Sequence, residues 1–415
     1  MTAAGGALRA SVIVVSRHRP RLLAQCLRAL EGQDHPFELI LVADPAALAL
    51  RPDLPIKRVA FDQANISAAR NAGLARAAGD VVLFIDDDAL ARPGWVAALL
   101  AAFADPRVLA ATGFTRGPDG LNWQVRAERI DASGRGRPLP PRAALLAPEG
   151  GDPVSTLGTN CAFRRDALLK IGGFDPAFAY HLDESDVNRR LALAHPQGLT
   201  AVVPEAEVIH GLAPGTSRAE PGVPHDLTAI GRSTALFAAR HGGSAGWIVA
   251  AQRRRLLRLM VAGRLDPLAL RRVLASLERG LAEGRGLAPA IPAAPLPWAG
   301  PPAADWLDFP HRGGGGMLVL AGWHWQARRL RAEAARALAQ GRPAAVLLMT
   351  PSALPHRLCL SEGGWWEQRG GLWGASQPGD PAFFPGRARS RIAREAGILA
   401  ALRRQLGEKP PDSLS

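Results

Sequence analysis

Three consecutive carboxylates, Asp86, Asp87 and Asp88, directly follow a short apolar run at residues 81–85. A run of this length, rich in β-branched side chains and preceded by Gly79, predicts a strand buried on both faces. Adjacent carboxylates repel one another, and a hard divalent cation relieves that repulsion. Open α/β sheets bind their ligands at the carboxyl ends of strands. The segment therefore predicts either a cation site or a strand end that merely faces water.

Other candidate groups stand at the ends of predicted elements. Asp44 ends a second apolar run, and His210 ends a strand-like run near the middle of the chain. Asp183 and Glu184 begin a segment with helical spacing, where the helix macrodipole stabilises carboxylates. From the residues alone, the acid pair could be catalytic or only capping, and His210 could be a ligand or an ordinary surface residue.

The elements that would position these groups alternate between strand and helix, which predicts a sheet built from parallel βαβ units. Strands are expected at residues 11–16, 38–44, 56–62, 81–85, 107–114 and 200–210, and helices at residues 20–32, 66–78 and 93–103. The turn after the first strand reads Ser-Arg-His-Arg-Pro, which excludes a glycine-rich phosphate cradle. Residues 115–153 are rich in Gly, Pro and Arg, and are expected to form an irregular loop that contacts an acceptor.

The composition restricts compartment and partners. No apolar run approaches the roughly 20 residues of a membrane span, and three distant cysteines predict no disulfide. We therefore expect a cytoplasmic protein. The net charge of +13 rests almost wholly on arginine, but no nucleic-acid-binding motif accompanies it, so nucleic acid is not expected as a partner.

We expect four regions in the 415 residues. Residues 1–224 form a catalytic domain, residues 225–286 a helical extension, residues 287–316 a Pro/Gly-rich linker, and residues 317–415 a small αβ module of unreadable function. Within the extension, residues 253–260 form a basic amphipathic helix. Such a helix either contacts an anionic membrane surface peripherally, at the inner face of the cell membrane, or packs on the domain with solvated arginines.

The order of these motifs resembles that of the family 2 glycosyltransferases of the GT-A fold. The resemblance covers about residues 10–215. The matching stretches are Ser-Val-Ile-Val-Val-Ser from 11, Leu-Val-Ala-Asp from 41, Ala-Arg-Asn-Ala-Gly from 69, Phe-Ile-Asp-Asp-Asp from 84, Gly-Thr-Asn-Cys-Ala-Phe-Arg-Arg from 158, Gly-Gly-Phe-Asp from 172, and Asp-Glu-Ser-Asp-Val-Asn-Arg-Arg-Leu from 183. It implies an α/β fold with the Rossmann-like mixed sheet of nucleotide-diphospho-sugar transferases. The helical extension and the small C-terminal αβ module follow this region and lie outside the resemblance.

The resemblance also implies a donor site with an Asp-x-Asp motif, here at residues 86–88. Its members would be Asp44 at the nucleotide base, Arg70 near the nucleotide, Asp86 near the ribose, Asp87 beside it, and Asp88 with His210 on a divalent cation, Mn²⁺ or Mg²⁺. The family's catalytic base is the second acid of a pair that is usually Glu-Asp. Here the order is inverted, and alignment on the residues that follow gives Glu184 as the base, with Asp183 as the alternative.

The implied reaction is an inverting, metal-dependent transfer from a nucleotide sugar (a UDP-, GDP- or dTDP-sugar) to an acceptor hydroxyl. A glycan, a lipid-linked molecule or a protein would be the acceptor, in polysaccharide or glycoconjugate synthesis. Two alternatives remain. A nucleotidyltransferase would share the acids at the strand ends, but would be expected to carry a Gly- and Lys/Arg-rich loop after the first strand. A non-catalytic nucleotide-sugar or glycan-binding module would account for the inverted acid pair.

Overall fold

The computed structural model describes residues 7–211, 218–219, 223–288, 305–311 and 316–403. Within these residues the chain forms a large mixed sheet, a helical extension and a second, smaller sheet.

The first part of the chain alternates strands and helices, as the apolar pattern predicts. Pro20 occupies the first turn of its helix, and the Asn65 side chain caps another by accepting the Ala68 N–H at 3.0 Å. The elements are β1 (Ala10–Ser16), α1 (Pro20–Glu31), β2 (Glu38–Ala43), α2 (Pro45–Leu48), β3 (Lys57–Ala60), α3 (Ile66–Leu74) and β4 (Val81–Asp86).

The second part carries shorter strands. These elements are β5 (Ala89–Ala91), α4 (Trp95–Ala101), β6 (Val108–Arg116), β7 (Trp123–Val125), β8 (Glu128–Ile130), β9 (Gly136–Pro138), β10 (Ala144–Leu146), β11 (Cys161–Arg164), α5 (Arg165–Lys170), α6 (Asp183–Ala194), β12 (Leu199–His210), β13 (Arg218–Ala219) and β14 (Val223–Pro224). The prediction of an irregular loop over residues 115–153 is wrong, because four of these strands lie within it. A small apolar cluster that includes Phe114, Val154 and Val202 supports them.

The large sheet has the order β10-β12-β6-β11-β4-β1-β2-β3, with β5 paired to β12 and β7 paired to β6. The βαβ units give parallel pairing from β4 through β3. Strand β11 departs from this parallel pairing, because it runs antiparallel between β4 and β6. The result is the mixed sheet that the family resemblance implies.

Helices cover both faces of the sheet, which explains why the middle of each central strand is apolar. On β1, Val12 and Val14 belong to one core cluster, and Ile13 belongs to the cluster on the opposite face. All six residues of β2 are buried. Polar groups of these central strands can therefore reach solvent at the ends of the strands.

The helical extension consists of α7 (Thr228–His241), α8 (Trp247–Val261) and α9 (Pro267–Leu287). It is tied by buried charges to α6, since His241 Nε2 lies 3.0 Å from Asp186 Oδ1, and to the segment before α6, since Arg240 Nη1 lies 2.5 Å from Asp175 Oδ2. None of the helices in the described parts of the chain is both long and apolar enough to cross a membrane.

A second sheet follows in the C-terminal module. Its elements are β15 (Leu318–Trp323), α10 (Ala327–Ala339), β16 (Ala344–Thr350), β17 (Arg357–Leu360), β18 (Trp366–Gly371) and α11 (Ala388–Ala400), with strand order β15-β16-β18-β17. The apolar pattern of the sequence predicts strands at residues 317–323 and 344–350 and a helix at residues 327–339, and these three elements are confirmed. The module packs on the large domain, where Leu358 N–H donates to Asp119 O at 2.9 Å and Ile209 joins its apolar cluster.

Part of the region expected to be a linker, residues 287–316, is packed against the rest of the fold. Residues 305–311 pack on the large domain, where the buried Phe309 ring lies 5.0 Å from the Phe37 ring and Asp308 forms a β-bridge with Glu38. Residues 289–304 and 312–315 lie outside the described residues. The four region boundaries remain predictions.

Candidate active site

The register of two strands brings Asp88 and His210 together. Strand β4 ends at Asp86, a two-residue turn holds Asp88, and β5 then pairs antiparallel with β12 so that Ala89 lies opposite His210. His210 Nε2 consequently lies 3.3 Å from Asp88 Oδ1. One ligand atom from each of Asp86, Asp88 and His210 lies within 4.8 Å of the others. The structure thus gathers three groups of which the outermost, Asp86 and His210, are 124 positions apart in the sequence.

This cluster fits a divalent cation by its chemistry. Two carboxylates and an imidazole are suitable donors for Mn²⁺ or Mg²⁺. Burial raises the pKa of Asp86, and the neighbouring Asp88 charge raises it further, against the opposing effect of Arg70. A cation would relieve that repulsion. Gln124, which the sequence did not single out, places its Oε1 3.2 Å from His210 Nδ1 and so orients the ring.

Asp87 faces away from this cluster. Ser16 Oγ donates to its Oδ2 at 2.8 Å, and Arg19 Nη1 lies 3.2 Å from its Oδ1. Burial raises the pKa of Asp87 to about 6, although Arg19 and Ser16 partly oppose that rise. In the structure Asp87 joins the end of β4 to the turn after β1, and its place in a donor site stays a prediction.

Asp44 also makes contacts within the fold. Its Oδ1 accepts the N–H groups of Ala46 at 3.1 Å and Ala47 at 3.2 Å, and its Oδ2 accepts the N–H of His18 at 2.8 Å. Burial would raise its pKa, but these backbone donors outweigh burial and the pKa of Asp44 is lowered. Asp44 therefore caps α2 and fixes the turn after β1. Its role at a nucleotide base stays a prediction.

His18, which the sequence analysis did not single out, lies in the turn between β1 and α1. Its backbone is left-handed, with φ 58°, and its side chain is 57% exposed. Its Nε2 lies 3.0 Å from Asp62 Oδ1. A left-handed non-glycine residue carries backbone strain, and here it lies in the turn that Asp44 holds through the His18 N–H.

Arg70 links the cation cluster to the acid pair. It projects from α3 with only 4% of its side chain exposed, forms an ion pair with Asp183, and places Nη2 3.3 Å from Asp86 Oδ1. The same nitrogen donates to Gly158 O at 2.9 Å. A Cβ on Gly158 would lie 2.5 Å from the guanidinium, so glycine is needed for this approach. Arg70 thus contacts carboxylates on both sides of the site.

The acid pair begins α6, and its two members have different surroundings. Asp183 is 4% exposed and paired with Arg70, whereas Glu184 is half-buried. Burial raises the pKa of Glu184 well above its ordinary value, and both the Asp183 charge and a hydrogen bond with it add to that rise. The preceding His181 and Leu182 both have left-handed backbones, with φ of 69° and 63°, which fixes the pair at the start of the helix. A carboxylate with a raised pKa is suited to taking up a proton.

Comparisons with known proteins point to a family for the first part of the chain. The family model described as "Glycosyl transferase family 2" matches residues 11–172. A glucosyl-dolichyl phosphate glucuronosyltransferase of Haloferax volcanii is 30% identical over 122 residues, which cover 27% of this chain and 34% of the relative. An N-acetylglucosaminyl-diphospho-decaprenol L-rhamnosyltransferase of Mycobacterium tuberculosis is 32% identical over 179 residues, which cover 40% of this chain and 57% of the relative.

The chain thus spans between about a third and somewhat over half of the length of these two relatives. Among solved structures, that of GalNAc-T7 with UDP, GalNAc and Mn²⁺ superimposes with a TM-score of 0.42 at 17% identity, and covers 56% of this chain and 47% of the other. Residues 11–172 match the model of glycosyl transferase family 2, the family that the sequence motifs resemble, and they lie within the mixed α/β sheet that this resemblance implies.

Proposed function

We propose that this chain is a metal-dependent glycosyltransferase that moves a sugar from a nucleotide sugar to an acceptor hydroxyl with inversion at the anomeric carbon. This proposal rests mainly on the link that Arg70 makes between the candidate cation ligands and the acid pair at the start of α6. Asp86, Asp88 and His210 lie close enough together that they could hold a cation, and buried Arg70 pairs with both Asp86 and Asp183, the neighbour of Glu184.

The donor half of the site would hold the nucleotide diphosphate. Asp88, His210 and Asp86 are the residues that would hold Mn²⁺ or Mg²⁺, and a bound divalent cation supplies neutralising charge for the departing diphosphate. We assign Asp86 additionally to the ribose, and Asp44 to the nucleotide base. The support for Asp44 is its position at the carboxyl end of β2, the strand next to β1 in the sheet.

The acceptor half would use Glu184 as the general base. As the acceptor oxygen forms its bond to the anomeric carbon, its proton passes to the Glu184 carboxylate, and the bond between that carbon and the diphosphate breaks on the opposite face. The raised pKa of Glu184 makes its carboxylate a stronger proton acceptor than an ordinary glutamate. Asp183 would act indirectly, by holding Arg70 in place.

For the acceptor we propose a lipid-linked glycan. Two of the relatives carry names in which the sugar is attached to dolichyl phosphate or to diphospho-decaprenol. A protein that acts on such a molecule must reach a membrane surface, and this chain would do so peripherally. If the acceptor is instead a free glycan or a protein, transfer of the sugar to that molecule would show it.

The test is a panel of UDP-, GDP- and dTDP-sugars incubated with the full chain and Mn²⁺, Mg²⁺ or a chelator. A melting-temperature screen first identifies the donor that binds. We expect release of nucleoside diphosphate from that donor with a cation, no release with the chelator, and no release by the Asp88→Asn variant. Stabilisation by a donor without any release would show a binding module instead. Release of pyrophosphate from a nucleoside triphosphate and a sugar phosphate would show a nucleotidyltransferase.

A further inference from the structure

The helical extension exposes a basic face that also carries apolar side chains. On α8, Arg254, Leu257, Arg258 and Val261 follow one another at three- and four-residue spacing, and all are exposed. Leu257 is 38% exposed and Val261 is 84% exposed. The opposite face of the helix is occupied, since Leu256 is fully buried in the cluster shared with α9. The exposed leucine and valine therefore do not contribute to the core.

The start of α9 continues this face across the turn at residues 262–266. Leu268 is 65% exposed, and Arg271 and Arg272 are exposed one turn later. The one carboxylate nearby, Asp266, accepts the N–H groups of Leu268 at 2.9 Å and Ala269 at 2.8 Å, so it serves as the cap of α9.

Charge is strongly unbalanced over this hairpin. Residues 247–277 contain seven arginines, no lysine and a single acid, Asp266. Arginines that served only solubility would not require apolar side chains exposed at the tip between them. An apolar tip surrounded by cations is complementary to an anionic bilayer, because apolar side chains enter the boundary between headgroups and acyl chains while guanidinium groups meet lipid phosphates.

We propose that the α8–α9 hairpin, residues 253–272, docks this chain on an anionic phospholipid surface, with Leu257, Val261 and Leu268 inserted at the headgroup level. The choice of a lipid surface rests on the proposed function insofar as that function names a lipid-linked acceptor. Lipid binding is measured without any transfer reaction, so a failure of one proposal is distinguishable from a failure of the other.

Because the extension packs against the α/β domain, docking on a membrane would also affect the candidate active site. Helix α9 packs on α7, where Gly280 approaches the Thr228 backbone so closely that a Cβ would lie 2.0 Å from Thr228 O. Helix α7 in turn holds Asp186 of α6 through Arg240 and His241. Docking through the hairpin would therefore fix the orientation of α6, which begins with Asp183 and Glu184, relative to the bilayer.

The first experiment tests charge. The full chain is sedimented with vesicles of phosphatidylcholine alone or of an equimolar mixture with phosphatidylglycerol, at low and high salt. We expect binding to the anionic vesicles only, weakened by salt. Each arginine at such a surface strengthens binding about fivefold, so Arg254→Gln with Arg258→Gln should weaken it about 25-fold. Arg328→Gln with Arg329→Gln, two exposed arginines on α10, is the matched control and should bind as the wild type does.

The second experiment tests insertion. Leu268→Ser should weaken binding about tenfold, because burial of most of a leucine side chain in an apolar medium is lost. Leu354→Ser is the matched control, since Leu354 is 63% exposed and lies in the C-terminal module. Equal binding to neutral and anionic vesicles, or equal loss in a variant and its control, would overturn the proposal. So would binding to RNA that the arginine variant abolishes while its lipid binding stays unchanged.

Discussion

The two members of the acid pair should respond differently to neutralisation. Glu184→Gln removes the proposed base and keeps the shape of the side chain. Loss of a general base lowers turnover by about a hundred- to ten-thousandfold. Donor affinity should be unchanged, because Arg70 and the cation ligands keep their contacts. Since the pKa of Glu184 is raised, its charged form is disfavoured in the folded protein. The neutral glutamine should therefore leave the melting temperature unchanged or slightly higher at neutral pH.

Asp183→Asn should instead act on stability. Removing one partner of a buried ion pair costs about 3–5 kcal/mol. Because Arg70 keeps Asp86 at 3.3 Å and Gly158 O at 2.9 Å, we expect the lower end, about 3 kcal/mol. In a domain of about 200 residues, 1 kcal/mol shifts the melting temperature by about 2–4 °C, so the variant should melt about 6–12 °C lower. Its turnover, measured well below that temperature, should fall less than that of Glu184→Gln.

Three measurements separate these outcomes: steady-state release of nucleoside diphosphate, donor affinity by calorimetry, and melting by scanning calorimetry. The reasoning would be refuted by an Asp183→Asn protein that is inactive at an unchanged melting temperature, together with a Glu184→Gln protein of normal turnover. That pattern would make Asp183 the base and reduce Glu184 to a helix-capping acid.

The remaining predictions concern the cation, pH and the extension. Mn²⁺ should raise the melting temperature of the wild-type protein, Asp88→Asn should abolish that rise, and His210→Ala should reduce it. Because the pKa of Glu184 is raised, kcat/KM should fall with decreasing pH at a value above the ordinary glutamate range, and a limb near pH 4 would contradict the assignment. Burial would raise the pKa of Asp186, but His241, Arg190 and Arg240 outweigh burial and lower it. Its stabilising contribution is therefore present above the unfolded pKa of about 3.9 and lost as pH falls through the folded value. In urea titrations Asp186→Asn should cost about 3–5 kcal/mol at neutral pH and less in acid, whereas a constant difference would show that the Asp186 charge is not responsible.

The sequence predicts a structural feature correctly where the local pattern of residues determines that feature. The apolar run of β4 and the helix caps at Pro20 and Asn65 are local features, and they place the strands and helices of the first part correctly. Family motif order then predicted that Asp88 and His210 lie together. The structure gives the physical reason, which is the antiparallel pairing of β5 with β12.

Other features depend on contacts that no local pattern specifies. The ion pair between Arg70 and Asp183 joins residues 113 positions apart, and nothing in the Ala-Arg-Asn-Ala-Gly stretch indicates a carboxylate partner. The three-residue strands within residues 115–153 are too short to show alternation, and their pairing with β6, β12 and each other stabilises them. Asp44 and Asp87 resemble free carboxylates in sequence, but backbone N–H groups and Ser16 engage them in the fold.

The inverted order of the acid pair has a structural explanation in Arg70. The side chain of Asp183, at the first position of α6, lies within reach of the buried guanidinium and forms the ion pair. The positive charge of Arg70 is thereby shared with Asp183 and Asp86, and it only partly offsets the effects that raise the pKa of Glu184. We propose Glu184, one methylene longer and less buried, as the proton acceptor. In this chain the acid at the first position of the pair engages the arginine, and its charge raises the pKa of the acid at the second position.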